Sequence, residues 1–189
     1  MVPTPSQTVG PFFSFGLTEG RGCAPCVAGP QAKGERVLLS CRVLDGDGAP
    51  VPDAMIEIWQ ADAEGKYNHP QDPQHKNCDT ACMGFGRMGT DDDGACEFET
   101  IKPGRVPGPD GSLQAPHLNL AVFGRGLLKQ LYTRAYFAGD PANDADPILA
   151  LVPVNRRETL MARLDDQREN RWKFEIHLQG VGETVFFDV

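Results

Sequence analysis

LQAPHLNLAVF, residues 113–123, decides how the rest of this chain is read. It has the form of a β-strand entered through Pro116, and in an extended chain successive side chains point to opposite faces. Leu118, Leu120 and Val122 then share one side, an apolar strip that faces a core, while His117, Asn119 and Ala121 share the other. Two histidines spaced by one residue on such a strand would reach one metal ion. Here asparagine holds the second place.

Working outward, 21 glycines and 16 prolines punctuate the 189 residues, which favours many short strands joined by turns over long helices. Residues 1–34 show neither helical nor strand periodicity and read as an extended N-terminal arm that packs on another chain. Residues 35–189 read as a single domain. Two apolar runs, Val37–Leu44 and Ala54–Trp59, flank a DGDG turn and predict a hairpin-like unit. The polar, turn-rich stretch 63–94 is long for a connection inside one domain, as functional loops often are. ACEFETI and QLYTRAYF predict further strands. One short helix is expected near 155–165, with Asn155 as N-cap and Glu158 three residues on. RWKFEIHLQG and ETVFFDV predict two closing strands.

With 40% hydrophobic and 23% charged residues the composition is that of a globular protein. A formal net charge of −8 argues against nucleic-acid and anionic-membrane partners, because like charges repel. No apolar run approaches the roughly 20 residues of a membrane span, and MVPTPSQTVGPFFSFG lacks the basic-then-apolar order of a secretory signal. A cytoplasmic location is the expectation, and with it reduced thiols for all six cysteines. CAPC (Cys23, Cys26) and CDTAC (Cys78, Cys82) leave a zinc-stabilised structural module as an alternative. A free-standing β-sandwich binding module is another.

The metal-competent candidates are Tyr67, His69, His75, His117 and His177. Neither GxxxxGK[ST] nor GxSxG occurs, so nucleotide and serine-hydrolase chemistry have no carrier.

TPSQTVGPFF (4–13), VLDGDGAPVPDAMIEIWQADAEGKY (43–67), FGRMGTDDDGACEFETIKPG (85–104), APHLNLAVFGRG (115–126), LYTRAYF (131–137) and GETVFFDV (182–189) together resemble the intradiol ring-cleaving dioxygenases. The resemblance implies a mainly β fold, a β-sandwich with long loops. It also implies a non-haem Fe(III) held elsewhere in the family by two tyrosines and two histidines. Tyr67 and His117 match one of each. Val106 stands at the second tyrosine and Asn119 at the second histidine, so the ligand set is a remnant and no iron is expected on this chain. Gln114 stands where iron-bearing chains have an arginine.

The same resemblance implies a homologous iron-bearing beta subunit as partner in an alpha–beta hetero-oligomer, with the active site between them. Thr8, Pro11, Phe12 and Arg134 would line the partner's substrate pocket. Arg134 shares its strand face with Tyr132 and Tyr136, a cation among amphipathic rings that suits an aromatic carboxylate. The implied reaction joins 3,4-dihydroxybenzoate and O2 into 3-carboxy-cis,cis-muconate.

Overall fold

The computed structural model describes residues 4–20, 23–108 and 111–188. One helix, α1 (Pro11–Thr18), precedes eight strands: β1 (Arg36–Leu44), β2 (Met55–Trp59), β3 (Phe85–Gly89), β4 (Ala95–Ile101), β5 (His117–Phe123), β6 (Leu131–Phe137), β7 (Met161–Leu164) and β8 (Arg171–His177). They form one sheet in the order β3-β2-β5-β6-β7-β8-β1-β4. The fold class is therefore mainly β, as expected.

Alternation builds the core. In β1, Val37, Leu39, Cys41 and Val43 turn inward, and Phe98, Ile56, Ile58, Leu118, Leu120, Val122, Phe174 and Ile176 meet them from the other strands. Burying each larger side chain is worth about 1.5–3 kcal/mol. The inward face of β5 is the apolar strip of Leu118, Leu120 and Val122. Its other face is covered too, because Tyr136 joins Ala115, Leu149, Val152 and Leu160 in a second cluster outside the sheet.

Four local readings are corrected. Residues 37–59 are not a hairpin: β1 pairs with β4 and β8, while β2 pairs with β3 and β5. The short helix expected near 155–165 is a 3-10 helix, Val154–Leu160, capped by Pro153 with no side-chain cap from Asn155. From Met161 the chain becomes β7, which pairs with β6 through Tyr136↔Met161 and Phe137↔Ala162 and with β8 through Arg163↔Lys173 and Leu164↔Trp172. Those ladder bonds outweigh the helical spacing of Leu160, Met161 and Leu164. Residues 183–188 are not a strand but one bridge, Tyr132↔Phe187.

The fourth correction concerns the arm, which is not extended throughout. Pro11 lies in the first turn of α1, where its missing N–H forfeits no helical bond. Phe13 packs against Phe123 at 5.7 Å between ring centroids, a tertiary contact that periodicity cannot reveal. Farther along, Ala24, Cys26 and Ala28 bridge to Arg87, Glu99 and Cys82 of the same chain, and Val27 and Ala28 are fully buried.

Candidate functional site

The chain leaves β2 at Trp59 and turns sharply about Asp62. Its Oδ1 accepts the N–H groups of Glu64 and Lys66, each at 2.9 Å, and its Oδ2 accepts that of Asp79 at 2.8 Å. Gly65, at φ +79°, then runs so close to the Arg105 carbonyl that a Cβ would lie 2.0 Å from its oxygen. That approach brings Tyr67 and Val106 to the wall of one cavity of about 700 Å³. Tyr67 stacks on Trp59 at 5.8 Å and 11°, and its backbone N–H is held by Asp72 Oδ2 at 2.7 Å.

β5 supplies the next two positions. Asn119 lies opposite Trp59 on one side and Arg134 on the other. Its amide donates to the Trp59 carbonyl at 3.2 Å and to the Tyr67 hydroxyl at 3.4 Å. His117 lies opposite Tyr136, with its Nδ1 2.7 Å from the Ala115 carbonyl oxygen. Burial, and then the Arg134 charge, push the imidazole down to about 4, so it is neutral at pH 7. Burial raises the Tyr67 phenol above its ordinary value, and the Asn119 hydrogen bond and Arg134 offset this only in part.

Arg134 ties these pieces together. Its Nη1 donates to Gln114 Oε1 at 2.7 Å and to the Tyr136 hydroxyl at 3.4 Å. The Tyr136 hydroxyl donates in turn to Asp146 Oδ1 at 3.2 Å. Asp146, only 1% exposed, also accepts the N–H groups of Ala115, Ile148 and Leu149 at 2.6, 2.9 and 2.7 Å. On its outer side Arg134 lines a second cavity of about 580 Å³ with Asn119, Tyr132, Leu151, Val185 and Phe187.

Tyr67, Val106, His117, Asn119 and Arg134 are therefore one cluster. Thr8, Pro11 and Phe12 are not part of it. The Thr8 hydroxyl accepts the Gly126 N–H at 2.7 Å, and Phe13 packs on Phe123, both beyond the far end of β5. Six strand steps separate Phe123 from His117, about 20 Å at the usual rise. Phe12 is 84% exposed and Phe15 57%, an edge-to-face pair with centroids 6.4 Å apart. Sequence reasoning missed Asp62 and Asp146, each of which ties N–H groups of its own turn to one from a distant segment, Asp79 and Ala115 respectively. No motif announces either one.

A ferric ion does not fit this donor set. Hard trivalent iron needs anionic oxygen, and the cluster offers a buried phenol whose proton is held more firmly than usual, one imidazole, one neutral amide and an isopropyl group. Among the described residues no group of three or more His, Cys, Asp or Glu side chains is arranged to hold a metal ion. The zinc alternative fails with it. Cys23 rests its thiol on Met88 Sδ at 3.2 Å, Cys26 bonds to the Ala28 carbonyl, and Cys82 is buried with Ala28 and Ile101.

The Dioxygenase family model matches residues 9–180. The chain is 44% identical to the protocatechuate 3,4-dioxygenase alpha chain of Burkholderia cepacia, over 98% of this chain and 97% of that one. It is 42% identical to the alpha chain of the Pseudomonas putida enzyme, over 98% and 96%. Identity to the Burkholderia cepacia beta chain is 38%, over 80% of this chain and 67% of the other. Among solved structures, hydroxyquinol 1,2-dioxygenase from Pseudomonas putida DLL-E4 shares the fold with a TM-score of 0.64 at 23% identity, over 92% of this chain and 65% of that one. The family-model match over residues 9–180 and the end-to-end identity to two alpha chains lead to one conclusion: the chain belongs to the intradiol dioxygenase family.

Proposed function

We propose that this chain is the iron-free alpha subunit of a protocatechuate 3,4-dioxygenase, completing the active site of a homologous beta subunit. Members of the family use Fe(III). In this reading the beta subunit alone holds it, and the assembled pair converts 3,4-dihydroxybenzoate and O2 to 3-carboxy-cis,cis-muconate in the cytoplasm. The observation that carries the reading is the broken donor set: Val106 and Asn119 stand beside Tyr67 and His117 in a chain otherwise similar end to end to alpha chains.

The arm supports it. Thr8, Pro11 and Phe12 lie away from this chain's own remnant, and the exposed Phe12–Phe15 pair needs a partner to cover it. The leading part of residues 1–34 therefore packs on the beta subunit. Arg134, lining the open second cavity, brings the cation that an aromatic carboxylate requires. Leu151 at 80% exposure and Val154 at 75% extend the apolar face around it.

Expression with and without the homologous chain tests the reading. Alone, the protein should be colourless and free of stoichiometric iron; together, the two should purify as an iron-bearing hetero-oligomer that cleaves 3,4-dihydroxybenzoate. A single chain with one ferric ion and a phenolate absorption band would overturn it.

A further inference from the structure

We infer that Gln114 is the positioning residue of Arg134, a neutral acceptor that fixes the guanidinium at the second cavity without spending its charge. The inference rests on the functional reading that sets a substrate carboxylate at Arg134.

The hold is made by one buried amide. Gln114 is 8% exposed, and its Oε1 accepts from Arg134 Nη1 at 2.7 Å. An oxygen so buried has little water to turn to, which favours the charged donor. The other bond of Nη1, to the Tyr136 hydroxyl, is long at 3.4 Å, and that hydroxyl already donates to Asp146. Gln114 is therefore the stronger tether.

Gln114 is itself held in place. Its backbone N–H donates to the Val106 carbonyl at 2.9 Å and its Nε2 to the Pro107 carbonyl at 3.2 Å. The two limbs of the loop bridge at Pro107 and Leu113, and Arg105 Nη2 donates to the Leu113 carbonyl at 2.8 Å. Turning the amide over would set Oε1 against the Pro107 carbonyl and Nε2 against the guanidinium, so Oε1 stays toward Arg134.

What the amide leaves free is the useful edge. Nη1 makes both hydrogen bonds of the guanidinium, whereas Nε and Nη2 make none with a described residue. The group sits over the Phe187 ring, with Cζ 5.9 Å from the centroid, and both side chains line the second cavity. The Nε–Nη2 edge is thus a fork that a carboxylate meets with two parallel bonds. Both hydrogen-bond partners of Arg134 are neutral. A carboxylate at position 114 would hold the guanidinium but offset its charge, and a second cation there would repel it. A neutral amide does neither.

The test assembles the full chain with wild-type beta subunit and compares 3,4-dihydroxybenzoate with a catechol that lacks the carboxylate. Gln114→Leu keeps most of the bulk and removes the acceptor. It should raise KM for 3,4-dihydroxybenzoate about tenfold, and at least about fivefold more than for the carboxylate-free catechol, with the loss in KM rather than kcat. Added to Arg134→Ala it should cost nothing further, because a positioning residue has nothing to act on once its charge is gone. Equal losses for the two substrates, or a full additional loss in the Arg134→Ala background, overturn the inference. Should Gln114→Leu fail to assemble, Gln114→Glu keeps the acceptor and offsets the charge: a carboxylate-selective rise in KM supports the inference, and an unchanged KM overturns it. Wild-type kinetics for Arg134→Ala would overturn the functional reading as well, whereas a carboxylate-selective loss in Arg134→Ala with none in Gln114→Leu overturns this inference alone.

Discussion

The hydroxyl of Tyr136 donates to the carboxylate of Asp146, and this one acid fastens the loop before β5 to the 3-10 segments that cover it. Four donors converge on two oxygens that water barely reaches. Asp146→Ala leaves all four without a partner and should lower stability by about 3–5 kcal/mol. Asp146→Asn keeps acceptor capacity but turns an N–H toward a donor, so it should fall between. Urea unfolding of the three proteins checks the order.

His117 gives the chain a pH dependence of definite sign. Its folded pKa, about 4, lies below the ordinary value of 6.5, so between these limits the unfolded chain binds a proton that the native one refuses. The stability that goes with the neutral, buried ring is fully present above pH 6.5 and is lost as pH falls toward 4. About 3 kcal/mol is at stake at the acid end. Carboxylates such as Asp79 and Asp165, whose pKa values are lowered by their hydrogen bonds, add acid sensitivity of their own. The comparison with His117→Gln isolates the histidine, and that variant should show a flatter stability profile between pH 4 and 6.5.

Gly65 should tolerate no side chain. A Cβ would meet the Arg105 carbonyl oxygen at 2.0 Å and force a non-glycine residue to φ +79°. Gly65→Ala should cost about 2–4 kcal/mol and loosen the Trp59–Tyr67 stack. Tryptophan fluorescence in a Trp172→Phe background, which leaves Trp59 as the emitter, reads the second effect. A near-neutral variant with unchanged emission would show that the loop yields easily.

The arm's aromatic pair offers a separation of stability from assembly. Phe12→Ala with Phe15→Ala removes exposed rings, so the melting transition should move by no more than the equivalent of about 0.5 kcal/mol. Association with the beta subunit should weaken about tenfold or more, since large aromatic side chains dominate interfaces. Sedimentation of the mixed subunits measures it. Phe13→Ala should behave differently, because its ring packs on Phe123 within the chain.

Legibility in the sequence followed the range of the forces. β5 and β6 could be read because alternation is local: Leu118, Leu120 and Val122 declare their face without reference to any other strand. Tyr67, Val106, His117 and Asn119 were singled out through resemblance; the structure sets Tyr67 and Val106 on one cavity wall, Asn119 against the Tyr67 hydroxyl, and His117 two residues from Asn119 on the same strand. β7 was misread as helix because its pairing with β6 and β8 is decided by residues some twenty-five positions upstream and ten downstream. α1 escaped for a similar reason, with Phe13 answering to Phe123 far along the chain while Phe12 meets Phe15 and stays exposed. Asp146 was invisible because the groups it binds are backbone N–H, which every residue but proline carries alike.

The two faces of β5 have a consequence for how such a chain could arise. Residues 118, 120 and 122 are committed to the core, while 117 and 119 lie on the opposite face beside Tyr136 and Arg134, and a strand's period of two keeps these sets independent. Under the proposed reading, replacing a ligand at position 119 in a duplicated gene would remove catalysis from that copy yet leave the core contacts of residues 118, 120 and 122 in place. Each intermediate on the route from enzyme to dedicated companion would be a folded protein. Selection could then act on the companion's surface alone, with the lineage never passing through an unfolded ancestor.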